Sequence, residues 1–226
     1  MRLDTRPYGG QLFRPEPEVY ISDDQSVVII ATPWGNPKVA KDFISIFLNH
    51  WRDSKTEAQN HLSPLEDNLT LPEYLFKLSL LAAHEDIKDK YNDEELSAAT
   101  EVLCLFKNQQ KLTWFHVGSP SVILVRGNEL LPLFHNTDLS HDYSTPEKHL
   151  APLPKNLLGL QQNLNIGVGN IRYKPGDRLL MVSRYAIPFS FFQQIHADNL
   201  ELNTITHLLA ADNVDQPFWL GLLFVD

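Results

Sequence analysis

Cysteine is almost absent from the chain. Cys104 stands alone among 226 residues, which excludes an intramolecular disulfide framework and fits a reducing compartment. It lies in an apolar run, Val102-Leu103-Cys104-Leu105-Phe106, so a small core residue is expected there rather than a nucleophile. Basic charge is scarce as well. Nineteen Lys and Arg face 28 Asp and Glu, a formal net charge of −9, and that sign repels the phosphates of nucleic acid. No stretch approaches the roughly 18 uninterrupted apolar residues of a membrane span. The first residues, MRLDTRPYGGQLF, hold no apolar run of signal-peptide length. Neither nucleic acid nor membrane is an expected partner, and the cytoplasm is the expected compartment.

What is present is an ordinary globular composition, 43% hydrophobic and 21% charged, long enough for a sizeable core in a single domain over residues 1–226. β-rich runs at Val19–Ile21 and Ser26–Ala31 flank a polar turn at Asp23-Asp24, and Thr32–Pro37 should break the second strand. Asn36 and Pro37 can open a helix whose Val39, Phe43, Phe47 and Trp51 form one apolar stripe. A second helix should begin at the capping box Thr70-Leu71-Pro72-Glu73 and run to about Tyr91.

From Ala98 the period becomes that of strands. Ala98–Lys107, Lys111–Val117, Ser121–Arg126 and Glu129–Phe134 read as a four-stranded meander. After a long polar loop, strands are expected over Asn165–Tyr173 and Arg178–Ser183, joined by the Pro175-Gly176-Asp177 turn. Helices follow at Pro188–Ala197 and Asn203–Ala211, and an apolar strand at Phe218–Val225. The order fits an α+β sandwich.

Several landmarks in this order resemble the PP2C-type (PPM) metal-dependent serine/threonine protein phosphatases across nearly the whole chain. Ile30-Ala31-Thr32-Pro33-Trp34-Gly35-Asn36 is similar to the V-A-D-G-x-G-G segment that ends a strand and opens the first long helix. His116-Val117-Gly118 begins an H-V-G-D-S-R segment, but continues as Ser119-Pro120-Ser121. Thr137–Ser140 is weakly similar to T-x-D-H-S. Leu158-Gly159 and Lys174–Ser183 (KPGDRLLMVS) resemble an L-G followed by x-P-G-D-x-L-L-L-x-S-D-G, and Asn213–Val225 the terminal G-x-x-D-N-x-T strand. The resemblance implies a four-layer α/β/β/α sandwich, two packed antiparallel sheets flanked by helix pairs.

It also implies a site, and there the chain departs from the pattern. The family holds two divalent metals between its sheets with aspartates at strand ends, and hard cations such as Mg²⁺ or Mn²⁺ require anionic oxygens. The aspartate positions carry Thr32 (followed by Pro33 in place of Gly), Ser119, and Arg184-Tyr185 after Ser183; only Asp215 survives, followed by Gln216. Arg14, with Glu16 or Glu18, lies about where the family places a phosphate-binding Arg and an acidic pair. Thr and Ser hydroxyls cannot replace carboxylates around a metal pair. Arg184 is expected to stand in for the metals by pairing with Asp215 or Glu18.

The remaining candidates have simpler readings. His135, His141 and His149 with Asp138 and Asp142 match no recognised zinc spacing. His116 reads as a core-edge histidine, Asp177 as a turn residue, and Gly167-x-Gly169 as no nucleotide loop, since no helix follows it. Trp34 and Tyr185 would either narrow the cleft or fill core, and Pro188–Phe192 would be either buried or a partner patch.

The expected function is a catalytically inactive, pseudophosphatase-like signalling module. It would have no cofactor and a protein partner, such as a phosphoprotein or kinase. The rivals are a divergent phosphatase using a weakly held Mg or Mn at Asp215 and the N-terminal acids, and an unrelated chemistry in the His135–His149 loop.

Overall fold

The computed structural model describes residues 1–57, 69–135, 138–140, 150–184, 187–195 and 200–225. One five-stranded sheet has the order β1 (Arg2–Tyr8), β10 (Phe218–Phe224), β9 (Arg178–Ser183), β6 (Ser121–Arg126), β7 (Glu129–Phe134). The other has the order β2 (Glu18–Ile21), β3 (Val27–Gly35), β4 (Ala98–Asn108), β5 (Lys111–Val117), β8 (Gly167–Arg172). All strand pairs are antiparallel. Helices α1 (Val39–Glu57) and α2 (Leu71–Asn92) cover the second sheet; α3 (Phe189–Gln194) and α4 (Leu202–Asp212) cover the first.

The period-2 rule explains the layering. On β3, Val27, Ile29 and Ala31 pack toward α1 and α2, while Val28 and Ile30 enter the core between the sheets. On β6, Val122 and Leu124 face that same central core, and Ile123 and Val125 face α3 and α4. The expected four-layer α/β/β/α sandwich is the observed one. Among the described residues, no helix is long and apolar enough to cross a membrane.

Two expectations need correction, and one strand was not anticipated. The four-strand meander is split, because β4 and β5 lie in one sheet and β6 and β7 in the other. The chain changes sheet at Gly118 (φ +74°) and the cis Ser119–Pro120 bond. β3 does not break at Thr32: it continues to Gly35, with Pro33 opposite Thr100 and Trp34 opposite Ala99. β1 was not legible, since RLDTRPY is polar and charged; it is an exposed edge strand held by its ladder to β10. The capping box is as read, Thr70 N–H donating to Glu73 Oε2 at 2.7 Å.

One buried histidine fixes the loop that approaches the strand ends. His84 on α2 donates from Nε2 to the Gln161 carbonyl at 3.0 Å and accepts the Gly159 N–H at Nδ1, 2.9 Å. That double role requires the neutral ring, and burial does hold its pKa below the usual value, against the pull of Glu85. The unfolded chain therefore takes up this proton first as pH falls. The contribution is complete above the unfolded pKa of about 6.5 and is lost as pH drops below it. Urea unfolding at pH 7.5 and 5.5 should show the wild type losing more stability on acidification than His84→Gln. Equal losses would contradict this role.

Candidate functional site

The site is built on the ends of β3, β4 and β5. Thr32 on β3 pairs in register with Glu101 on β4, and both side chains are fully buried. The last β4–β5 pair is Val102 with Val117, so Glu101 lies one residue beyond it, against the Gly118 turn. A Cβ at Gly118 would sit 2.8 Å from Glu101 Cγ and Oε1. Glycine there allows both the left-handed φ and the close approach to the carboxylate.

Both oxygens of Glu101 accept hydrogen bonds. Oε1 receives the Ser119 N–H at 2.8 Å, and Oε2 receives Arg14 Nη2 at 2.9 Å and Trp34 Nε1 at 3.1 Å. Burial pushes this carboxyl above its usual range, while Arg14, the Ser119 amide and the Trp34 indole pull the other way. An acceptor role at both oxygens is that of a carboxylate, not an acid.

Arg14 is itself buried, with Asp138 Oδ2 4.0 Å from its Nη1 and the Trp34 ring 5.7 Å from its guanidinium carbon. Its Nε and Nη1 have no hydrogen-bond partner among the described residues. Asp138 is held by the Ser140 and Leu153 N–H groups, each 2.9 Å from Oδ1.

Around this ion pair the hydroxyls answer one another. Ser119 Oγ and Ser183 Oγ are 2.9 Å apart and buried, which joins the β5–β6 turn to the end of β9. Arg184 is 1% exposed and donates to Asp212 Oδ2 on α4 at 2.8 Å.

Solved structures share this architecture. PppA, a regulatory component of T6SS in Pseudomonas aeruginosa, superposes with a TM-score of 0.67 at 12% identity, over 98% of this chain and 96% of that one. Stp1 from Staphylococcus aureus, a serine/threonine phosphatase, gives 0.67 at 10% identity, over 99% and 94%. The catalytic domain of the phosphatase PstP, solved with two manganese ions, gives 0.62 at 16% identity, over 98% and 96%. The chain has the PP2C-type phosphatase fold. No protein-family model and no curated protein matches its sequence.

The residues that the sequence resemblance puts at the metal positions do not fit a pair of hard divalent cations. Thr32 and Ser119 offer neutral hydroxyls, and that of Ser119 is engaged with Ser183. At the third position the side chain is a buried cation already paired with a carboxylate. Asp215 retains a buried Oδ1 with no partner among the described residues, and its carbonyl receives the Gln11 and Leu12 N–H groups. Two divalent ions need far more compensating negative charge than this set supplies.

Several sequence expectations are relocated. The observed ion pair of Arg184 is with Asp212, rather than the expected Asp215 or Glu18. Asp212 ends α4, which packs beside the β9 terminus, whereas Glu18 sits on an edge strand with Lys41 Nζ at 3.4 Å. Arg14 does reach the cleft, but its partner is Glu101. That residue was missed, although one charged side chain in the apolar run Ala98–Phe106 marks it. Trp34 proves to be a hydrogen-bond donor to the pair. Pro33 is buried in β3.

Asp177 serves its turn as expected: Arg126 Nε lies 3.0 Å and the Lys174 N–H 2.8 Å from its carboxylate. Phe191 is buried while Phe189 is 76% exposed, so the aromatic segment is split between the two readings. Tyr185, Thr137, His141, Asp142 and His149 lie outside the described residues. Among the described residues, no group of three or more His, Cys, Asp or Glu could hold a metal ion.

Removing one member of a buried pair leaves the other uncompensated, at a cost of about 3 kcal/mol or more. Glu101→Gln should therefore lower the unfolding free energy by about 3 kcal/mol, while the double variant Arg14→Met with Glu101→Leu recovers most of it. Urea denaturation of the wild type, Glu101→Gln, the single variants Arg14→Met and Glu101→Leu, and the double variant measures this, and additive losses of the two matching singles would contradict the pairing.

Proposed function

We propose that this chain is a PP2C-type fold without phosphatase chemistry, a pseudophosphatase acting as a protein-binding module in signalling. The observation that carries the reading is the Arg14–Glu101 pair. A buried carboxylate that accepts Arg14 Nη2, the Ser119 N–H and the Trp34 indole offsets the charge an incoming phosphate would need, although Arg14 Nε and Nη1 stay without a partner among the described residues. Phosphoryl transfer depends on positioned cations that stabilise the developing charge. Here the cation of the cleft is a guanidinium already neutralised by the protein's own acid.

With catalysis set aside, the fold offers surfaces, and a protein is the partner we infer, of the phosphoprotein or kinase class. PppA, described as a regulatory component of a secretion system, is compatible with a regulatory role for this architecture. The rival reading, a divergent phosphatase with one weakly held Mg²⁺ or Mn²⁺, is favoured by the buried, unpartnered Oδ1 of Asp215.

An assay on p-nitrophenyl phosphate with Mn²⁺ separates the two. The expected result is no turnover above buffer, for the wild type and for Asp215→Asn alike. Turnover in the wild type that Asp215→Asn abolishes would establish the rival.

A further inference from the structure

A second, separate feature adjoins the cleft. A cavity of about 310 Å³ is lined by the side chains of His116, His135, Lys155, Asn156, Gln161 and Asn165, with Gly118 and Gly167 completing its wall. None of these side chains is a carboxylate or an aliphatic group. In a chain of formal charge −9, such a lining favours the charge that the rest of the surface repels. Lys155 forms no ion pair among the described residues and is exposed at the rim.

The walls are preorganised. Gln161 Nε2 donates to the Lys155 carbonyl at 2.9 Å, and Asn156 Nδ2 donates to the Asn165 carbonyl at 2.7 Å. His84 holds the same segment from α2 through Gln161 and Gly159. The His116 ring is stacked on Phe134, with centroids 3.8 Å apart and planes 6° apart. Its other face is closed by Gly167, where a Cβ would stand 2.0 Å from the ring. Fixed in this slot, His116 has a buried Nδ1 without a partner among the described residues. The volume exceeds what a bare oxyanion fills and falls within the range of small-metabolite pockets.

We propose that this cavity binds a small phosphorylated polyol, with Lys155 taking the phosphate and the two imidazoles and three amide side chains taking the hydroxyls. An ammonium with no carboxylate paired to it among the described residues supplies the charge-assisted contact. A lining rich in amide and imidazole groups suits a hydroxylated body, since an apolar one would leave these groups unpaired. Burial lowers the His116 pKa to about 4, so the ring meets the ligand as a neutral donor or acceptor. The site does not use Arg14 and stands whether or not the cleft is catalytic.

The test is calorimetric titration with glucose 6-phosphate, glycerol 3-phosphate, glycerol and inorganic phosphate. The phosphorylated polyols should bind saturably, glycerol not at all, and inorganic phosphate about tenfold more weakly than the sugar phosphate. Lys155→Ala, at an exposed position that folding does not need, should weaken binding about tenfold or more. Asn156→Ala should weaken it less, and the double variant Arg14→Met with Glu101→Leu, which leaves no unpaired buried charge, should leave it unchanged. The proposal is overturned if neither phosphorylated polyol binds, if Lys155→Ala has no effect, or if the folded double variant Arg14→Met with Glu101→Leu fails to bind.

Discussion

An arginine taken out of water needs a partner that matches both its charge and its donors, and the cleft of this protein is organised around that need. Arg14 and Glu101 are buried together at 2.9 Å, and the surrounding structure serves the pair. Gly118 lets the β5–β6 turn close onto the carboxylate, Ser119 presents its N–H, and Trp34 adds an indole donor. A buried ion pair is poor evidence of net stability, because desolvation offsets most of the attraction. It is better read as a specification of the cleft: Glu101 is committed to Arg14, Ser119 and Trp34.

The sandwich itself makes no demand on the chemistry of the cleft. The sandwich rests on three apolar layers, none of which needs a metal: α1 and α2 on β3–β5, the inter-sheet core, and α3 and α4 on β6, β9 and β10. Some polar residues at the strand ends pair with one another, Ser119 with Ser183 and Arg184 with Asp212. Cys104, pushed upward in pKa by complete burial, is a core residue within this frame. Architecture and site are thus separable, and function has to be argued from the site.

Much of the architecture was legible because it follows period and punctuation. Val39, Phe43, Phe47 and Trp51 are all buried, and the Thr70–Glu73 box caps α2. The exchange of strands between sheets was not legible, since a tight turn and a sheet crossing begin with the same Gly-rich signal at Gly118. β1 escaped because an edge strand needs no apolar alternation. In the site, the sequence pointed to Thr32 and Ser119, which the structure buries, but not to Glu101 beside them. Glu101 is 87 residues from Arg14, and only tertiary pairing reveals their contact. Arg184 was rightly singled out as an inward cation, yet its acid came from the helix end at Asp212, three residues before the expected Asp215.

The central claim is that the protein's own guanidinium, and not divalent metal, supplies the positive charge of the cleft. Anomalous diffraction from crystals soaked in MnCl₂ tests it most directly. The expected map has no manganese peak between the sheets and continuous density linking Arg14 to Glu101. A pair of ordered manganese ions at the ends of β3 and β9, with Arg14 displaced, would contradict the account.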